Sequence, residues 1–303
     1  MLVAPAVLAA VLSCATAATT GQRIQDALPR ESDLPGWKLR DAPRSFQGTD
    51  ISLLGPEKAA LAARFRLEAA ARMSFVWYSD PGRELSLELY EAPSALDAFG
   101  LMGRLDPIHE PEGITVANAD DACCTDRVLR FRKGRFCGIV SVGTGSREAR
   151  KDMLACAESV CAALMSTGER LPSDVDTFGG ESDRFRVSYY PEGLGFIPSS
   201  GAFFMRRRIK DGLAISVIYA RKDSPGQALR EFTGALAGSG ALELRDAGTR
   251  RIAQKRLEGG GVLMITIERE WIFGVTDAPD ERVAAATIEK LREELPPVPA
   301  GTG

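Results

Sequence analysis

The residues of this sequence best suited to covalent chemistry are one histidine and two adjacent cysteines. His109 is the only histidine, and it lies in a segment rich in proline and acidic residues. Cys123 and Cys124 precede a basic segment that contains Arg127 and Arg130. Positive charge lowers the pKa of a thiol and favours the reactive thiolate. One hypothesis is therefore a hydrolase or thiol enzyme that uses His109 or the two cysteines.

A non-catalytic interpretation accounts for the same residues and is the one we favour. No G-x-S-x-G elbow supplies a nucleophile for His109, so a solvated loop histidine explains it. In an oxidising compartment, one of Cys123 and Cys124 is expected in a disulfide and the other in the core. The sequence therefore predicts no catalytic residue, and an enzyme is the less favoured alternative.

Metal and cofactor motifs do not occur in the chain. There is no C-x-x-C pair and no H-E-x-x-H motif. Asp120 and Asp121 could help to bind calcium, but an acidic turn explains them. The stretch from Gly143 to Arg147 lies between a predicted strand and helix but lacks the lysine of a P-loop. We interpret it as a turn with Ser146 as helix cap. The sequence predicts neither a metal nor a cofactor.

Two groups of arginines are the candidates for ligand binding. Alternation along a strand sends some members of each group outward together, where they could meet an acidic partner or an anionic polysaccharide. A solvated sheet face that blunts edge pairing is the alternative interpretation. The candidates are Arg206, Arg207 and Arg208 in one predicted strand, and Arg130 and Arg132 in another.

Composition narrows the class of protein. The 303 residues are 45% hydrophobic and 26% charged, as in a folded globular chain. Because the net charge is −3, no long-range field attracts nucleic acid or an anionic membrane surface. Nucleic acid is therefore excluded as a predicted partner.

The N-terminal segment predicts export. Residues 2–12 form an apolar run of the length of a signal-peptide core, and Ala15, Thr16 and Ala17 fit a small-x-small cleavage site. Alternatively, residues 11–14 resemble a bacterial lipobox in which Cys14 is lipidated. We expect residues 1–17 to be a signal peptide, or a lipoprotein signal that ends at residue 13. The mature protein is then periplasmic or secreted, and a lipid anchor is its one predicted link to a membrane.

The same fold unit is predicted twice, about 130 residues apart. Leu85 to Glu91 and Ile215 to Arg221 are strand-like segments that end at capped helices. Ser94 with Asp97, and Ser224 with Gln227, have N-cap spacing. We predict an α+β fold with two tandem repeats, 18–168 and 169–303. Each has the order strand, strand, helix, two or three strands, helix, in a mostly antiparallel sheet with the helices on one face.

A hairpin around Gly134 gives a specific expectation about the core. With the turn centred there, Leu129, Phe131, Cys137 and Ile139 would share one face of the sheet. The region from Leu105 to Thr125 is expected to be mostly loop, with a short strand near residues 114–117. The segment 168–184 is the expected linker between the repeats.

Several short motifs resemble a family of exported bacterial domains of unknown function. They are Leu34-Pro-Gly-Trp37, the helix region from Gly55, the strand Leu85 to Tyr90 with Ala98-Phe99-Gly100, and Val187-Ser-Tyr-Tyr-Pro191 with Gly193. The resemblance covers most of the chain after the predicted signal. It implies an exported, internally duplicated protein and carries no catalytic residues.

The function predicted from these features is that of an exported cell-envelope protein that binds rather than catalyses. Its partner would be an envelope protein, a lipid or a polymer. The alternatives are the envelope enzyme described above and a carrier of a lipid or other hydrophobic ligand. An apolar cavity between sheet and helices would favour the carrier.

Overall fold

The structure is a computed structural model, and the chain divides into two compact units between Leu171 and Pro172. It describes residues 24–105, 112–165, 168–173, 175, 187–191, 193–194, 197–198, 203–210, 213–239, 243–247 and 250–295. Each unit contains one large antiparallel sheet and helices. The predicted α+β class is therefore confirmed.

Among its described residues, the first unit contains eight strands and three longer α-helices. Its strands are β1 Trp37–Leu39, β2 Arg44–Gln47, β3 Ala69–Trp77, β4 Asp80–Glu91, β5 Glu112–Gly113, β6 Asp121–Cys124, β7 Val128–Lys133 and β8 Phe136–Val142. Its helices are α1 Pro56–Arg64, α2 Ala95–Arg104 and α3 Arg147–Ala163, and 3-10 turns lie at Glu31–Asp33 and Gly48–Leu54.

The sheet of the first unit has the order β1-β3-β4-β8-β7-β6-β5, and β2 also pairs with β3. The central strand β4 alternates between two environments. Leu85, Leu87 and Leu89 are fully buried in the main core with α3, whereas Ser86 and Glu88 point to the opposite face. One face of the sheet is therefore apolar, and we call the opposite face, which carries Ser86 and Glu88, the polar face.

Helices cover both faces of this sheet, not one as the sequence predicted. Helix α3 packs on the apolar face through residues that include Met153, Ala157 and Val160. Helix α2 lies on the other face, because the buried Arg130 of that face donates to Met102 O at 2.6 Å. Strands β7 and β8 are buried on both sides for this reason.

The register of the β7–β8 hairpin also differs from the expectation. Lys133 pairs with Phe136 across a tight turn at Gly134 and Arg135, where Gly134 has φ 53°. Arg132 therefore lies opposite Cys137, and Phe131 lies opposite Gly138. The predicted face that joined Phe131 to Cys137 is wrong, because a shift of one residue moves side chains to the other face.

The second unit contains nine strands and two α-helices among its described residues. They are β9 Val187–Tyr190, β10 Gly193–Leu194, β11 Ile197–Pro198, β12 Phe203–Lys210, β13 Leu213–Arg221, β14 Glu243–Ala247, β15 Arg250–Arg256, β16 Val262–Glu268, β17 Trp271–Ala278, α4 Pro225–Ser239 and α5 Glu281–Glu294. Strands β10 and β11 form a separate hairpin, and the sheet order of the others is β14-β15-β16-β17-β13-β12-β9.

The two sheets have corresponding strand orders. Taken in reverse, the second sheet has the order β12-β13-β17-β16-β15-β14, which corresponds to β3-β4-β8-β7-β6-β5 in the first sheet. A helix follows β13 and β17, just as a helix follows β4 and β8. The predicted N-caps are confirmed, because Ser94 Oγ accepts from Asp97 N and Ser224 Oγ accepts from Gln227 N. Origin of both units from one duplicated segment stays a prediction.

An ion pair occupies corresponding positions of the two sheets with its charges exchanged. Glu91, at the end of β4, pairs with Arg135 in the turn before β8. Arg221, at the end of β13, lies 3.7 Å from Glu270 in the turn before β17. The position after each strand residue also corresponds, because Ala92 N donates to Arg135 O and Lys222 N donates to Glu270 O. Each sheet therefore has an oppositely charged pair at this position, although the acidic and the basic residue are exchanged between the two sheets.

Short strands are where the sequence-based prediction was wrong. Strands β1 and β2 were not predicted, since three or four residues with mixed polarity give no clear alternation. The stretch expected to be mostly loop contains β5 and β6 instead of a strand at 114–117. Both errors concern strands at or near the edges of the sheet.

Gly138 offers a test of packing in the first unit. A Cβ at Gly138 would lie 2.2 Å from Cζ of the Phe131 ring, which is fully buried. We expect Gly138→Ala to destabilise the protein by about 1–3 kcal/mol, because overpacking outweighs the entropic gain of about 0.5–1 kcal/mol from losing a glycine. Urea-induced unfolding measures the change. Gly143→Ala is the matched control, since no atom lies within 4 Å of its Cβ, and equal effects of both variants would contradict this packing.

Candidate functional site

Several of the sequence-derived candidates lie outside the described part of the molecule. His109 and Cys14 are among the residues that the structure does not describe. Arg206, Arg207 and Arg208 lie in β12, where the backbone is described but the side chains are not. The ligand-binding role of these three arginines stays a prediction.

Arg130 and Arg132 are buried instead of facing a ligand. Each is 3% exposed, and Arg130 donates to the carbonyl oxygens of Met102 and Leu105 at the end of α2. Arg132 pairs with Asp121 at 2.6 Å and with Asp120 at 3.2 Å. The predicted outward face is wrong here, because α2 covers this part of the sheet. Both guanidinium groups stabilise the fold.

The five described cysteines are free and buried. Cys123 lies opposite Arg130 and Cys124 opposite Leu129, so the two adjacent side chains point to opposite faces. The disulfide expected for one of them is therefore absent from the described residues. Burial raises the pKa of both thiols, and it outweighs the opposing charge of Arg130 on Cys123 and of Arg150 on Cys124. The predicted lowering of these pKa values is wrong.

The other buried thiols are protonated for the same reason. Burial raises the pKa of Cys137 and of Cys161 to about 12, and it raises the pKa of Cys156 as well. Cys156 and Cys161 belong to the apolar face of α3. These groups have the properties of core residues.

Within the described ranges, no group of three or more His, Cys, Asp or Glu side chains is arranged to hold a metal ion. In the same part of the chain, no helix has the length and apolar character needed to span a membrane.

A pair of arginines at the sheet edge is the most unusual charged feature of the described surface. Arg44 of β2 lies directly opposite Arg72 of β3, and we call these two residues the arginine pair. Directly opposed side chains have Cβ atoms about 4.5–5.5 Å apart, where like charges destabilise a sheet. Both side chains are accessible, with Arg72 53% exposed. Arg44 makes no side-chain hydrogen bond or ion pair with a described residue.

The carboxylate nearest to the arginine pair already has other partners. Glu88 accepts hydrogen bonds from Lys58 Nζ on both oxygens and from Tyr90 Oη at 2.7 Å on Oε2. Arg72 Nε lies 3.7 Å from Glu88 Oε1, beyond the distance of a normal hydrogen bond. Glu88 is therefore shared between Lys58 and Arg72, and the three groups together keep a net positive charge.

Two clefts flank the arginine pair, and both arginines line each of them. The polar cleft has a volume of about 250 Å³ and is also lined by Arg40, Asp41, Ala42, Met73, Ser74 and Glu84. The leucine cleft has a volume of about 580 Å³ and is also lined by Ser45, Phe46, Asp50, Leu53 and Leu54. A ligand in either cleft can therefore reach both guanidinium groups.

The charges of the two clefts favour an anion. In the polar cleft, three arginines face two acidic residues, and Arg40 is held by Glu84 at 2.6 Å. In the leucine cleft, the two arginines face Asp50 alone. Each cleft therefore has one more positive than negative group. Guanidinium groups bind carboxylates and phosphates through paired hydrogen bonds, which is the chemistry that this arrangement supports.

A larger cleft of about 710 Å³ lies at the same sheet edge, with Met73 and Phe75 of the apolar face in its lining. Its lining contains two arginines, Arg30 and Arg44, and two acidic residues, Asp26 and Glu31, so their numbers are equal. Glu31 Oε1 also accepts a hydrogen bond from Leu39 N at 2.7 Å. Volume favours this cleft, but no excess of positive charge distinguishes it, so we place the candidate site at the arginine pair.

One continuous segment builds the candidate site. Strand β2 supplies Arg44, the 3-10 turn Gly48–Leu54 supplies the leucines, α1 supplies Lys58, and β3 supplies Arg72. The sequence did not indicate this site, because β2 was not predicted and register alone places Arg44 opposite Arg72. The alternation of Arg44 and Phe46 was the one available signal, and it extends over too few residues to define a strand.

Comparison of the chain with protein-family models, with curated proteins and with solved structures found no match.

Thiol reactivity tests the burial of the cysteines. We expect no rapid reaction of Ellman's reagent with the native protein at about pH 8, because the described thiols are buried and protonated. Adding denaturant should release the five described thiols, and Cys14 as well where the full chain is retained. Rapid reaction of one thiol in the native state, lost in Cys123→Ser or Cys124→Ser, would contradict this expectation.

Stability at alkaline pH tests the raised pKa of Cys137. In the unfolded chain a thiol ionises near pH 8.5, whereas burial raises the pKa of Cys137 to about 12. The stabilising contribution of this protonated thiol is therefore complete below about pH 8.5 and falls as the pH rises toward about 12. We expect Cys137→Ala to reduce the slope of unfolding free energy against pH by about 1.4 kcal/mol per unit above about pH 9. Urea unfolding across this range measures it, and parallel curves for both proteins would contradict it.

Proposed function

We propose that this protein is an exported, non-catalytic binding protein of the cell envelope whose first unit binds a small anionic ligand at the arginine pair. The observation that supports this proposal is the direct opposition of Arg44 and Arg72, both accessible, with Glu88 shared between Arg72 and Lys58. Like charges at this spacing destabilise the unliganded sheet. An anion between the two guanidinium groups would remove that repulsion and gain charge-assisted hydrogen bonds.

The surrounding structure supports a binding role for Arg72 in particular. Glu88 lies close enough to orient its guanidinium electrostatically, but the hydrogen bonds of Lys58 and Tyr90 occupy the carboxylate. Arg72 therefore keeps donors for a ligand. Preorganised donors of this kind reduce the entropy lost on binding.

The cell-envelope location in this proposal follows from the sequence. It depends on the apolar run at residues 2–12 and on cleavage after Ala17 or lipidation of Cys14. The thiol-enzyme alternative is disfavoured because burial raises the pKa of Cys123 and Cys124 and makes thiolate scarce.

Anion binding is tested with inorganic phosphate and with acetate, titrated into the protein by calorimetry at low ionic strength. We expect both anions to bind, and added salt to weaken the binding. Arg44→Met and Arg72→Met should each raise the dissociation constant about tenfold or more, because a hydrogen bond to a charged group contributes about 1.5–3 kcal/mol. Asp50→Asn should tighten binding, since it removes the one acidic group of the leucine cleft.

Arg147→Met is the matched control, because Arg147 is an exposed arginine in the first turn of α3 that lines neither cleft. It should bind both anions as the wild type does. Arg44→Met should also stabilise the unliganded protein by about 0.2–1 kcal/mol, because it removes a like-charge pair. The proposal fails if the wild type binds neither anion or if Arg147→Met loses as much affinity as the other two variants.

A further inference from the structure

We infer that the ligand of the arginine pair is a single-chain amphiphile, with its anionic head on the two arginines and its aliphatic chain in the leucine cleft. This inference rests on the proposed function and narrows it to one class of ligand. The head group follows from the charge of the site, and the chain follows from the side chains beside it.

The apolar side chains of the leucine cleft begin next to the arginine pair. Phe46 of β2 pairs with Ala70 of β3, two residues along from the opposed arginines and on the same face. The 3-10 turn then adds Leu53 and Leu54 to the lining. Charged and apolar groups are therefore adjacent on one surface, which is the pattern that an amphiphile requires.

The exposure of Leu53 is otherwise unexplained. Leu53 is 74% exposed, the largest exposed fraction among the large hydrophobic side chains of the described residues. The same turn buries Ile51, which is 2% exposed, so Ile51 rather than Leu53 anchors the turn to the fold. Leu53 instead lines a cleft of about 580 Å³, a volume within the usual range for small-molecule sites. An aliphatic chain in that cleft would cover it.

The second unit carries no counterpart of this arrangement in its described part. In the first unit, β2, the 3-10 turn and α1 all precede β3. In the second unit, the described segment between β9 and β12 contains the β10–β11 hairpin instead. Among the described residues, this arrangement of β2, 3-10 turn and α1 therefore belongs to the first unit.

A chain-length series tests the inference. Acetate, hexanoate, octanoate, decanoate and dodecanoate are titrated into the wild-type protein below their micelle-forming concentrations. Each buried methylene contributes about 0.8 kcal/mol, so we expect the affinity to rise about fourfold per methylene until the cleft is filled. An octyl glucoside, which has the chain without the charge, should bind at least about tenfold more weakly than octanoate.

Leu53→Asn is the decisive variant, because an exposed residue can be changed with little effect on folding. It should reduce the gain in affinity per methylene, because it removes an apolar side chain from the leucine cleft. Leu229→Asn is the matched control, since Leu229 is an exposed leucine of the second unit, and it should leave this gain unchanged.

The outcomes separate this inference from the proposed function. If phosphate and acetate bind but affinity does not rise with chain length, the inference of an amphiphilic ligand is wrong, whereas the proposed anion-binding function is retained. If affinity rises equally in Leu53→Asn and Leu229→Asn, the chain lies elsewhere and the inference is overturned. If no anion binds at all, the proposed function fails together with it. Loss of the chain-length dependence in Leu53→Asn alone would support the inference.

Discussion

The alternation of the central strand β4 is the constraint on which the rest of the first unit depends. Leu85, Leu87 and Leu89 must face the apolar core with α3, and this fixes Ser86, Glu88 and Tyr90 on the other face. The strand register then places polar side chains on this face as far as the sheet edge, because Glu88 lies opposite Arg72 and Arg72 lies opposite Arg44. The polar surface at the sheet edge is therefore set by the burial of three leucines in the middle of the sheet.

The charged side chains of the polar face lie in two different environments, one buried under α2 and one exposed at the sheet edge. Where α2 covers the sheet, Arg130 donates to two carbonyl oxygens and Arg132 pairs with carboxylates, since a buried charge without polar partners is very costly. At the uncovered edge, solvent screens the repulsion between Arg44 and Arg72, and the sheet tolerates the like-charged pair. Only the second environment leaves guanidinium donors available to a ligand.

The two units have corresponding strand orders. Both have an ion pair at the end of a corresponding strand, Glu91 with Arg135 and Arg221 with Glu270, and the acidic and basic residues are exchanged between the two pairs. The described residues before β3 and before β12, in contrast, form different elements, and those before β3 include Arg44 of the arginine pair.

The sequence by itself determined the α+β class, the longer strands and the N-caps at Ser94 and Ser224, because hydrophobic period and capping are local properties. It could not determine that Arg44 faces Arg72, that Cys123 and Cys124 point to opposite faces, or that α2 buries Arg130. Each of these depends on register or on the covering of a face. Register changes with a single residue, and the tight turn that sets it at Gly134 and Arg135 was placed one residue away from the sequence expectation. The tertiary structure therefore decided which arginines are structural and which two form the candidate site.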